Sequence, residues 1–155
     1  MYTKQEASAV RQKFWTAFGK YMQPVPSITG QKINWINYKT GVKGISFKMN
    51  ADKNVAFVAI EIALQNEKSQ QIFYEVFNNF KKYFNVIVGG NWIWEAKSLL
   101  ENGTICSRIY LELKPINIFK ESDWPLLITF FKTNIIAIDI FWSEYKSAFD
   151  TDSIL

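Results

Sequence analysis

Ten consecutive residues, Val55-Ala56-Phe57-Val58-Ala59-Ile60-Glu61-Ile62-Ala63-Leu64, carry one polar side chain among them. Successive side chains on a strand point to opposite faces, so a strand apolar at both parities asks for cover on both sides. The run therefore reads as a central strand, and the chain has to supply neighbours for it. Upstream, Ile45 to Asn50 alternates, with Ile45, Phe47 and Met49 on one face and Ser46, Lys48 and Asn50 on the other. Ala51-Asp52-Lys53-Asn54 has the composition of a turn. Ile33 to Tyr38 reads as a further strand, with a turn at Thr40-Gly41. These three segments predict an antiparallel meander.

Helical spacing frames it. Thr3-Lys4-Gln5-Glu6 is a capping box, and Ala7, Val10, Phe14, Phe18 and Tyr21 follow at steps of three and four, ending before Pro24 and Pro26. Asn66 caps a second helix with the stripe Phe73, Val76, Phe77, Phe80, Phe84 and Ile87, stopped by Gly89-Gly90. Trp92 to Lys97 and Thr104 to Lys114 are two more strands around Asn102-Gly103. From Glu121 to Phe149 the period is helical again. A straight helix that long would reach about 40 Å, so a kink or break is expected near Lys132-Thr133-Asn134. The expectation is one α+β domain over residues 1–150, in the order α-βββ-α-ββ-α. It has a largely antiparallel sheet of about five strands with helices packed on it, and a loose tail at 151–155.

Composition excludes several chemistries. With no His and one Cys, Cys106, there is no His-based triad, no His-ligated metal site and no internal disulfide. A lone cysteine suits a reducing cytoplasm, where the chain is expected. The apolar run from Leu126 to Trp142, interrupted by Lys132, Asn134 and Asp139, is too short and too polar to predict a membrane span. No cofactor is expected. Charge is uneven: residues 1–54 carry nine basic and two acidic side chains, net +7, and residues 55–155 sum to −3. That asymmetry suits an anionic partner, although only two of the 18 basic residues are arginine and Ile, Lys and Asn make up about 30% of the chain.

Two groups of residues are candidates for function. Lys32, Trp35, Tyr38, Lys39, Lys43 and Lys48 interleave lysines with aromatics, the pattern that holds phosphates and stacks bases; the plainer reading puts Trp35 in the core and the lysines on a solvated face. The second group is a polar patch on the sheet: Glu61, Glu95, Arg108, Tyr110 and Glu112. If residues 51–54 form the turn, Glu61 lies across from Gly44. In the second hairpin Glu95 pairs with Cys106 and sits diagonal to Arg108. A salt bridge across the sheet is the plain account of this patch, and a ligand site the other. Helix, three strands, helix, strand is also the core order of the PD-(D/E)XK nuclease fold. That chemistry needs a second carboxylate beside Glu61 and a Lys two residues after it; position 63 is Ala, and no Asp stands near Gly44 to Ser46.

Phe14-Trp15-Thr16-Ala17-Phe18-Gly19, Asn37-Tyr38-Lys39-Thr40-Gly41-Val42-Lys43, Ser107-Arg108-Ile109-Tyr110, Asp123-Trp124-Pro125, Phe130-Phe131-Lys132 and Phe141-Trp142 together resemble the bacterial domain-of-unknown-function family DUF 4268 over nearly the whole chain. The resemblance implies a tie to nucleic-acid metabolism or defence and brings no catalytic residues. The leading expectation is a non-catalytic binding module that contacts nucleic acid or an acidic protein through its Lys-rich end. A divergent metal-dependent nuclease using Glu61 and Glu95 is the alternative, and a self-associating structural protein built on the 26 aromatics is a third.

Overall fold

The computed structural model describes residues 2–150, so the expected tail at 151–155 lies outside the described residues. The capping box at Thr3 forms: Thr3 Oγ1 accepts from Glu6 N at 3.1 Å and Thr3 N donates to Glu6 Oε1 at 3.2 Å. Helix α1 (Lys4–Met22) follows and buries Phe14, Phe18 and Met22. Tyr21, expected in that stripe, is exposed, and Met22 takes its place.

Strands β1 (Ile45–Ala51), β2 (Ala56–Ile62), β3 (Ile93–Leu99) and β4 (Ile105–Leu113) form one antiparallel sheet in the order β1-β2-β4-β3. The α+β class and antiparallel sheet agree with expectation. The segment 33–38 does not join the sheet. Asn34 Oδ1 accepts from the amides of Ile36 and Asn37, both at 3.1 Å, which turns the chain back on itself. Trp35 swings inward instead, and its indole donates to Val25 O at 2.8 Å.

Both hairpins are registered two residues from the expected pairing. Glu61 faces Ser46 rather than Gly44, because Asp52 Oδ1 accepts from Asn54 N and Val55 N and sets the loop beyond Ala51. Glu95 faces Arg108 directly rather than Cys106, and a bulge between Glu95 and Ser98 then brings Ser98 opposite Cys106. Up to the bulge a shift of two preserves parity, so the expected faces of Glu61, Glu95 and Arg108 survive.

Helix α2 (Glu67–Asn79) and helix α3 (Lys81–Val88) replace the single expected helix; the break is Phe80, at φ −99° and ψ 9°. Helix α4 (Trp124–Tyr145) runs unbroken through Lys132-Thr133-Asn134, where Asn134 Nδ2 donates to Phe130 O at 2.8 Å within the helix. Its 22 residues span about 33 Å. Short 3-10 turns, Glu121–Asp123 and Lys146–Phe149, flank it. Contrary to the sequence reading, the helical stretch Glu121–Phe149 is, by length and composition alone, long and apolar enough to cross a bilayer: an 18-residue window in it has a mean hydropathy of 1.5, and in this fold 44% of that window is buried.

Helices α2 and α4 pack on β2 and β4. Phe47, Val58, Ile60, Ile62 and Ile109 meet them from the sheet. The core is dense with rings: Phe77 lies 4.5 Å from Phe149, and Phe14 lies 5.3 Å from Trp124, centroid to centroid. The opposite sheet face adds nothing to this cluster.

Candidate functional site

Between α1 and β1 run residues 23–44 with no regular strand or helix. A loop this long in a compact domain is usually functional or disordered. This one is tied down as a strap across α4. The anchor is Asp139, whose residue is 1% exposed. Ser27 Oγ donates to its two oxygens at 3.0 and 2.9 Å, Ile28 N at 2.8 Å and the Tyr38 hydroxyl at 2.5 Å. Burying a carboxylate is costly unless donors replace its water, and three residues of the strap supply them. Tyr38 responds: burial first, then the hydrogen bond and charge of Asp139, hold its hydroxyl protonated far above the ordinary range. One turn on, Trp142 Nε1 donates to Thr40 O at 2.9 Å and fixes the strap's far end.

Sequence reasoning saw Asp139 only as an interruption in an apolar run. The available signal was its spacing. It lies four residues after Ile135 and three before Trp142, on the helix stripe that the core buries.

The strap carries Lys32, Lys39 and Lys43, all exposed. A cavity of about 380 Å³ opens beside them over Tyr38, Asp139 and Trp142, and Lys32, Lys39 and Lys146 border it. Lys146, from the end of α4, was not among the sequence candidates; its ammonium lies so close to Gly41 that an added Cβ there would stand 2.4 Å from it. Among the described residues none of these four lysines is ion-paired. Two aromatic candidates are spent elsewhere. Trp35 is 3% exposed in the core, and Tyr38 is committed to Asp139. Lys48 is on the outer sheet face rather than on the strap.

The second group does assemble. Along one row of the outer sheet face stand Ser46, Glu61, Arg108 and Glu95, each register-paired with the next. Arg108 Nε lies 3.5 Å from Glu61 Oε2, with side-chain exposures of 16% and 13%. Its guanidinium carbon sits 4.6 Å from the Phe57 ring centre and 4.4 Å from that of Tyr110. Tyr110 is held protonated above its usual range, by burial first and then by Glu95. Glu112 lies 3.8 Å from Lys114. In the row Arg108 thus stands between Glu61 and Glu95, where a metal-dependent nuclease would need the two carboxylates to share a cation. Among the described residues, no group of three or more His, Cys, Asp or Glu is placed to hold a metal ion. Cys106 is fully buried beside this row, its thiol pushed up to about 11, by burial first and then by Glu61.

Fold and surface together define an α+β domain with helices on a four-stranded antiparallel sheet and an ordered, lysine-bearing strap. The family described as Domain of unknown function (DUF4268) matches residues 10–146, and the chain belongs to it. No curated protein and no solved structure matches the chain.

Proposed function

We propose that this chain is a non-catalytic, cytoplasmic binding module whose strap contacts an anionic partner, nucleic acid first, through Lys32, Lys39 and Lys43 together with Lys146. The observation that carries the reading is that Lys32, Lys39 and Lys146 border one cavity and Lys43 and Lys146 the next, all four exposed and none ion-paired among the described residues, beside a loop held by a buried carboxylate. A pinned loop has already lost its backbone freedom, so docking a polyanion costs less ordering entropy. With Trp35 in the core and the Tyr38 hydroxyl tied to Asp139, the contact is to phosphates rather than to stacked bases.

Fluorescence anisotropy with labelled duplex DNA across a salt series tests it, with Mg²⁺ present and the DNA run on a gel afterwards. Binding should weaken as salt rises, with the log–log slope shrinking by about 1 for each of Lys39→Ala and Lys43→Ala, and the DNA should stay intact. Cleavage lost in Glu61→Gln would replace this reading with the nuclease. An absence of binding at low salt would leave the lysines without a polyanion to hold.

A further inference from the structure

On the other side of Lys32 lies a second depression, open and about 560 Å³, between α1 and the strap. Trp15, Gly19 and Lys20 of α1 form one wall, and Lys32, Ile33 and Ile36 of the strap form the other. Gly19 sets their separation, because a Cβ added there would stand 3.3 Å from Ile36 Cδ1. Three properties of this basin point the same way.

First, its charge has one sign: Lys20 and Lys32 line it, and no Asp or Glu does. Second, it offers free donors besides the lysines, although Thr16 and Gln23 on its lining can also accept. The indoles of Trp35, Trp124 and Trp142 each donate to a backbone carbonyl, whereas Trp15 Nε1 meets no acceptor among the described residues and is not sealed from solvent. Asn34 has spent its carbonyl oxygen on two strap amides, which leaves its NH₂. Third, each wall carries an apolar side chain beside its lysine, Trp15 on α1 and Ile33 and Ile36 on the strap. Ile36 is 39% exposed beside the half-buried Trp15 ring. A duplex offers acceptors but no aliphatic side chain for that wall. A protein segment with carboxylates and an apolar anchor offers both, and an interface centred on a Trp with charged groups at its rim is the usual arrangement.

We infer that the basin between α1 and the strap is a docking site for an acidic protein segment, with carboxylates against Lys20 and Lys32 and one apolar side chain against Trp15 and Ile36. The site shares Lys32 with the phosphate-contacting face and lies on the other side of it from Lys39, Lys43 and Lys146.

The probes are a fluorescein-labelled helical peptide with Glu around two Leu, its Lys-for-Glu counterpart, and labelled duplex DNA. The readouts are anisotropy and the tryptophan indole N–H signals in ¹⁵N-correlated NMR spectra, with Trp15→Phe assigning one signal. The acidic peptide should shift the Trp15 signal and leave that of Trp142 in place. Its affinity should fall about tenfold or more in Lys20→Glu/Lys32→Glu, where attraction becomes repulsion. It should also fall in Ile36→Ser, and it should hold in Lys39→Ala/Lys43→Ala. The last variant separates the two sites, so losing DNA binding there says nothing against the basin. Peptide binding that ignores Lys20→Glu/Lys32→Glu overturns the inference. So does a Trp15 signal moved by DNA and not by the peptide, or equal binding of the basic counterpart. The indole spectrum of each variant also shows that it is folded.

Discussion

Replacing Asp139 with Asn keeps the size of the side chain but removes its charge and turns one acceptor oxygen into a donor. Ser27 Oγ, Ile28 N and the Tyr38 hydroxyl all aim at that carboxylate, so at least one donor loses its acceptor in a buried site. Asp139→Asn should cost on the order of 3 kcal/mol in urea unfolding, and Tyr38→Phe about 1.5 kcal/mol. The pair should be coupled in a double-mutant cycle, because both changes break the same bond. The pH dependence has a fixed sign. The Tyr38 proton is held more tightly in the folded chain than at its ordinary value of 10.0, so the stability it lends is whole below that value and is lost as pH rises beyond it. The urea midpoint should therefore fall between about pH 9 and about pH 11, and fall less in Tyr38→Phe. Cys106 is the other legible single residue. Fully buried, with its thiol pushed up to about 11, it should resist a thiol reagent at pH 8 until the chain unfolds, as timed absorbance would show.

At the level of elements, two glycines with positive φ make a controlled comparison. Gly44 has φ 91°, and a Cβ there would stand 2.3 Å from Leu64 Cδ2. Gly103 has φ 84° with nothing within 4 Å. Gly103→Ala should cost only the left-handed backbone penalty, about 1 kcal/mol. Gly44→Ala adds a clash where β1 begins and should cost about 1–3 kcal/mol more by thermal unfolding. Elements also show what a sequence discloses. Periodicity gave α1 and all four strands of the sheet, because burial on one face or two writes itself into residue spacing. Loop chemistry decided the rest. Asn34 turned a strand-like stretch into a strap, Asp52 moved a hairpin by two residues, and Phe80 divided one helical stripe into α2 and α3. Each depends on where one hydrogen bond or dihedral falls, to which hydrophobic spacing is blind. The candidate residues divide the same way. Glu61, Glu95 and Arg108 share a row because parity is robust to a two-residue shift, whereas nothing in the spacing showed that Asp139 would hold Tyr38 or that Lys146 would join the strap lysines.

Across the whole molecule, stability should be unevenly spread. The strap lacks regular structure, yet the Ile28 amide ends on a carboxylate inside the core. Native-state hydrogen exchange should therefore protect Ile28 about as well as the sheet, while amides at the β3–β4 turn exchange by local opening. If Ile28 exchanges as fast as that turn, the strap is not part of the folded core and its lysines are not preorganised. The charge follows the same division. Lys39, Lys43 and Lys146 sit at the strap end, and Glu61, Glu95 and Glu112 on the outer sheet face, so salt should tune contacts at the first far more than at the second.

All six tryptophans belong to the core or pack against it, and the outer sheet face shows Phe57 and Tyr110 instead. The protein is therefore optically one-sided. Intrinsic emission excited in the indole band reports on the helical layer and on both depressions beside the strap, through Trp15 and Trp142. A compound settling over Arg108 would leave that emission dark to its presence. A flat fluorescence titration would clear half of the surface and leave the other half unread, and a tryptophan introduced at Lys48 would give that side its own voice.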